Sequence, residues 1–66
     1  MLTADTITDE QIRELLADAK DQSFTDESRE LIRVCMAALH SGDSVWKARY
    51  RARCAEILNA RQGVAK

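Results

Sequence analysis

Residues 25–44 read TDESRELIRVCMAALHSGDS, and this stretch contains a helix start, an apolar helix face and a helix stop. Thr25 is a good N-cap because its hydroxyl can accept a bond from an unpaired backbone N–H of the first turn. Gly42 can adopt the left-handed conformation that ends a helix, and Asp43 can cap the next one. Between them, apolar residues recur with the spacing of one helix face: Leu31, Ile32, Cys35, Ala38 and Leu39. We therefore predict a helix over about 25–40 and another from about 44.

The same helical pattern continues on both sides of this stretch, in a chain with no Pro and only two Gly. Upstream, Thr8 and Gln11 have the spacing of a capping box, and Ile7 and Ile12 stand at the hydrophobic-staple positions. The buried stripe expected for this first helix is Ile12, Leu15, Leu16 and Ala19. A turn is expected at 21–23, and Gly63 is expected to close the last helix. These patterns predict one all-α domain over residues 1–66, a small three-helix bundle with helices at about 8–21, 25–40 and 44–61.

The third predicted helix is unusual because its apolar residues form two strips. A bulky strip contains Trp46, Tyr50, Cys54 and Ile57, and a strip of smaller residues contains Val45, Ala48, Ala52 and Ala55. We expect the bulky strip to pack on the first two helices. The smaller strip would let a further helix approach, from the same chain or from a second copy. Alanine also occupies helices simply because its helix propensity is the highest.

The small size of the chain limits its stability. A core of this size rarely gives a domain more than ~3–5 kcal/mol, so we expect self-association as a homodimer to add to it. Cys35 and Cys54 could pair in principle, but both fall at apolar helical positions, and residues 1–8 lack the basic start and apolar stretch of a secretion signal. We interpret them as reduced core thiols. No apolar segment approaches the ~20 residues that cross a bilayer, so we expect a soluble, cytoplasmic protein that does not bind membranes.

Charge is divided by position along the chain. Residues 1–30 contain nine Asp and Glu against three Lys and Arg, whereas residues 31–66 contain two against seven. Like charges repeat four residues apart in both outer helices, and each such pair costs only ~0.2–0.5 kcal/mol. The acidic row on the first helix is Glu10, Glu14 and Asp18, and the basic row on the third is Lys47, Arg49, Arg51 and Arg53, where Glu56 can offset Arg53. The acidic row should point away from the core. A neighbouring molecule can then reach it more easily than the third helix of the same chain can.

Protein binding is the function that this composition favours. The basic row together with Tyr50 contains the residue types that dominate interface hot spots, and the acidic row offers a secondary contact face. We therefore predict a protein-binding modulator that uses Lys47, Arg49, Tyr50, Arg51 and Arg53. The alternative is a nucleic-acid-binding regulator that uses the same cations on phosphates. The net charge of −1 and the expected burial of Trp46 and Tyr50 weaken that alternative.

Enzymatic chemistry has little support in the sequence. The single His, His40, lies near a helix end, where a cation favours the negative end of the helix dipole. Cys35, His40 and Cys54 lack the paired spacing of a metal site, and no Gly-rich loop is available to hold phosphates. We therefore expect a non-enzymatic protein without a metal or cofactor.

Two further segments lie near the ends of the sequence, ITDEQIRELL at 7–16 and ARCAEILNAR at 52–61. They resemble the ends of short accessory proteins of tailed phages and prophages. This resemblance implies a small non-structural phage product, of the class that binds and redirects host proteins or regulates phage genes. It also implies a location in the host cytoplasm and a host or phage protein as partner. It identifies no site residues.

Overall fold

The computed structural model describes residues 1–21 and 25–61. Three helices account for most of them: α1, Asp9–Asp21; α2, Asp26–His40; and α3, Ser44–Arg61. No strand occurs in these two ranges, and no helix within them has the length and hydropathy to span a membrane. The all-α three-helix prediction is confirmed, with each helix start within one residue of its expected position. The expected turn at 21–23 and the closing Gly63 lie wholly or mostly outside the described residues.

Capping boxes begin α1 and α2. At α1, the Thr8 hydroxyl accepts a hydrogen bond from the Gln11 N–H at 3.2 Å, and the Gln11 side chain accepts one from the Thr8 N–H at 2.9 Å. At α2, Thr25 and Ser28 exchange the equivalent bonds at 3.1 and 3.0 Å. Each box satisfies two backbone N–H groups that a helix start leaves without partners. Both N-caps were predicted from the sequence, and both are confirmed.

The turn between α2 and α3 differs from its prediction at one point. Asp43 caps α3 as expected, since its Oδ1 accepts from the backbone N–H groups of Val45 and Trp46 at 2.9 and 3.1 Å. However, α2 ends at Ser41, where φ is −60° and ψ is 134°. This extended conformation already stops the helix, and Gly42 does not adopt a positive φ. The left-handed cap expected at Gly42 was therefore wrong.

The helices pack with α2 in contact with both others, while α1 and α3 have fewer residues in direct contact. Two ion pairs join α1 to α3, one between Asp9 and Arg51 and the other between Asp18 and Arg61. Because residue numbers rise together in the two pairs, α1 and α3 run parallel. The short turn at 41–43 makes α2 antiparallel to α3.

An N-terminal arm, residues 1–8, runs back along α3. The backbone N–H of Leu2 donates to Oδ1 of Asn59 at 3.0 Å, and the Leu2 carbonyl accepts from Nδ2 of Asn59 at 2.9 Å. At the other end of the arm, the Ile7 carbonyl accepts from Nη2 of Arg51 at 2.6 Å. The arm is therefore antiparallel to α3, and it is attached at both of its ends.

One apolar core joins the arm and all three helices. Its buried members are Ile7, Ile12, Leu15, Ala19, Leu31, Val34, Cys35, Ala38, Cys54 and Ala55. Most residues of the predicted stripes are buried or pack against this core, and Val34 joins them without having been predicted. Cys35 and Cys54 are completely buried and free, as expected for core thiols.

Candidate protein-binding surface on α3

The first turns of α3 extend beyond the start of α1. Arg51 lies opposite Asp9, the first residue of α1, so residues 44–50 of α3 precede that level. The side chains of Val45 and Trp46, in these first turns, are 62% and 52% exposed. Trp46 was expected in the core, and that prediction was wrong, because more than half of its side chain is exposed.

The bulky strip of α3 is thus buried along only part of its length. Cys54 is completely buried, while Tyr50 and Ile57 are half-buried and pack against the core. The smaller strip shows the same gradient, since Ala55 is buried and Ala48 is exposed. Exposure increases toward the N-terminus of α3 along the smaller strip, and along the bulky strip from Cys54 to Trp46.

Trp46 belongs to a cluster with two neighbours on the same helix face. Its ring centroid lies 6.2 Å from that of Tyr50, with the planes tilted by 34°. The guanidinium carbon of Arg49 lies 5.2 Å from the Trp46 ring centroid. Residues three and four positions apart are neighbours on a helix, and a cation over an indole face is attracted by the ring. We call these three residues and the adjacent Val45 the Trp46 surface.

Arg51 is occupied within its own chain. Its guanidinium donates to the Asp9 carboxylate and to the Ile7 carbonyl, each at 2.6 Å, and its side chain is only 19% exposed. The hydrogen bond from Arg51 also lowers the pKa of Asp9. Although the sequence placed Arg51 on the binding surface, the structure places it in the contact between α3, the arm and α1. These two contacts join Arg51 to residues 42 and 44 positions away in the sequence, so helical spacing could not indicate them.

The remaining predicted cations differ in exposure. Arg49 and Arg53 are exposed, whereas Lys47 is half-buried. A carboxylate oxygen of Glu56 lies 3.5 Å from Arg53, which is the local offset expected from their spacing. Exposed pairs of this kind contribute little to stability, so Arg53 can exchange its partner at low cost.

The acidic row on α1 is divided in a similar way. Asp18 forms an ion pair with Arg61 of α3, although the row was expected to be badly placed for contact with the chain's own third helix. The parallel arrangement of α1 and α3 brings the two side chains together. Glu10 and Glu14 are exposed, and within residues 1–21 and 25–61 neither forms an ion pair. They are the members of the row that can reach another molecule.

A groove of about 450 Å³ lies between α2 and α3, toward the end of the helix pair that is remote from the turn. Its described lining residues are Glu27, Ser28, Glu30, Leu31, Val34, Arg53, Ile57 and Arg61. Arg53 is the one predicted site residue that borders it. The groove is thus a surface separate from Trp46, and the charge pattern did not indicate it.

No group of three or more His, Cys, Asp or Glu side chains among the described residues could hold a metal ion. Comparison of the chain with protein-family models, curated proteins and solved structures finds no match. The interpretation of the Trp46 surface therefore depends on its own geometry.

Proposed function

We propose that this protein is a small, non-enzymatic modulator that binds another protein through the Trp46 surface. The observation that carries the proposal is the half-exposed Trp46 ring, flanked by Arg49 and Tyr50. Trp, Arg and Tyr are the side chains most enriched among residues that dominate binding energy at protein interfaces. Here all three lie on one face of a single helix turn.

Contacts within α3 also hold the side chains of this surface. Asp43 caps the helix start directly beneath Val45 and Trp46, and Arg49 and Tyr50 lie against the Trp46 ring. Side chains that are already held lose less conformational freedom when a partner covers them. Burial of the remaining exposed part of the indole would then contribute to affinity.

Charge favours an acidic partner for this surface. Arg49 lies in it, and Arg53 lies one turn further along α3 with only an exposed partner of its own. Such cations speed encounter and select partners more than they add to affinity. The exposed Glu10 and Glu14 on α1 form a secondary face for a basic region of the same partner. Given the resemblance to phage accessory proteins, we propose that the partner is a host or phage protein in the host cytoplasm.

A surface double variant tests this function. In Trp46→Ala/Arg49→Glu, the anchor is removed and the charge is reversed, while core residues are untouched. A partner captured by the wild-type chain from host extract and identified by mass spectrometry should bind the purified variant at least ~30-fold more weakly in calorimetry, as expected for loss of a hot spot.

Arg33→Glu/Met36→Ala provides a matched control on α2, since both residues are exposed and undergo the same kinds of change. It should bind as the wild type does. Equal affinity of the Trp46→Ala/Arg49→Glu variant for the identified partner would exclude this surface.

Nucleic-acid binding is the second candidate, and the exposure of Trp46 favours it. An exposed indole beside an arginine can stack on an unpaired base. Against it, Arg51 is occupied by Asp9 and Ile7, which removes one cation from the row. Because Trp46 is the only Trp, its fluorescence reports stacking directly. We expect no quenching by a random single-stranded oligonucleotide at low ionic strength; quenching that disappears steeply with added salt would favour the nucleic-acid function.

A further inference from the structure

We propose that Cys35 and Cys54 form a peroxide-modifiable dithiol that closes into a disulfide between α2 and α3 in the folded protein. The two sulfur atoms lie 4.0 Å apart, and both side chains are completely buried. This inference does not depend on the proposed partner.

The two thiols are positioned to react with each other once one of them has been oxidised. A disulfide bond is about 2.05 Å long, so the sulfur atoms must approach by about 2 Å. Both belong to the core, where close packing holds them side by side. A neighbour held in place reacts far faster than a second molecule from solution.

The pair is also asymmetric in its protonation. A hydrogen bond from the Cys35 thiol lowers the pKa of Cys54, and the same bond together with burial raises the pKa of Cys35. Since the thiolate is the nucleophile, Cys54 is the sulfur that attacks first. Because both sulfurs are covered, the oxidant must be small, and hydrogen peroxide meets that requirement.

The reaction proceeds in two balanced steps. The Cys54 thiolate attacks one peroxide oxygen and the O–O bond breaks; the released hydroxide takes up the proton lost by the Cys54 thiol, leaving water and a sulfenic acid. The sulfur of Cys35 then attacks the Cys54 sulfur. The S–S bond forms as the S–O bond breaks, and the leaving hydroxide combines with the Cys35 proton as a second water. Two thiols are oxidised to one disulfide while one peroxide is reduced to two waters.

The disulfide would join two helices that are already in contact, so it should stabilise the fold. Closing a loop of this length restricts the unfolded chain, and for a small domain the expected rise in Tm is on the order of 10 °C. The same bond would restrict any movement of α3 against α2.

Intact-protein mass spectrometry after peroxide treatment of the folded protein tests the proposal. We expect the two cysteines together to lose about 2 Da, with full reversal by a dithiol reductant, and digestion should yield a peptide pair linked through Cys35 and Cys54. The exposed Met36 provides an internal measure of peroxide exposure, because its sulfoxide adds about 16 Da.

Four other outcomes would each overturn the inference. They are thiols that stay unmodified after Met36 is fully oxidised, sulfinic acid as the main cysteine product, a disulfide between two chains, and a linked pair that forms only in urea. In Cys35→Ser, the remaining Cys54 thiol should advance to sulfinic acid with no loss of 2 Da. Peptide mapping of the wild type decides the question even if that variant does not fold.

Discussion

Replacing Ile12 with alanine should leave most of the protein unfolded or close to unfolding at room temperature. Ile12 is completely buried and is among the largest side chains in the core. Removing a buried isoleucine side chain beyond Cβ costs ~2–5 kcal/mol, because the lost transfer energy is joined by the energy of the cavity. The free energy of unfolding of a domain of this size is itself only ~3–5 kcal/mol. Urea unfolding followed by far-UV circular dichroism should show the midpoint reduced by more than about 1 M.

Met36→Ala is the matched control for this prediction. Met36 is a large apolar residue on α2, but its side chain is 42% exposed. Its truncation should change the free energy of unfolding by no more than about 0.5 kcal/mol, as is usual for surface positions. If Ile12→Ala shifted the midpoint as little as Met36→Ala does, the core described above would be incorrect.

Asn59→Ala should release the N-terminal arm and destabilise the whole domain. The Asn59 amide pairs with both backbone polar groups of Leu2 and is itself 8% exposed. Its removal leaves the N–H and the carbonyl of Leu2 without their partner, which costs about 1–3 kcal/mol when such groups stay covered. We expect a lower urea midpoint and faster amide hydrogen exchange at the residues of the arm that are bonded in the native state, including Ile7.

A double-mutant cycle separates this contact from a general loss of packing on α3. Deleting residues 1–2 removes the partner of Asn59, so Asn59→Ala should cost less than half as much in the shortened chain. Equal costs in the two backgrounds would show that Asn59 stabilises α3 by some other means. Such a result would show that the arm does not stabilise the fold through its contact with Asn59.

The basic row shows how far sequence reasoning could identify the candidate site. The cations were located correctly on one helix, yet their spacing could not show that Arg51 bonds Asp9 and Ile7 while Arg49 covers Trp46. The first arrangement requires knowledge of where α1 starts relative to α3. Helical spacing alone could have indicated the second, since Arg49 is three residues from Trp46, but the expected burial of Trp46 concealed it.

The sequence by itself determined the number of helices, their limits within one residue, their N-caps and most of the core stripes. These features depend on residues three or four positions apart, which contact each other in any helix whatever the rest of the chain does. Only the tertiary structure decided the exposure of Trp46, the occupation of Arg51, the pairing of Asp18 with Arg61 and the attachment of Leu2 to Asn59. The three contacts join residues 42, 43 and 57 positions apart in the sequence, and the exposure of Trp46 depends on which elements lie beside α3. Both are decided by how the helices pack against one another.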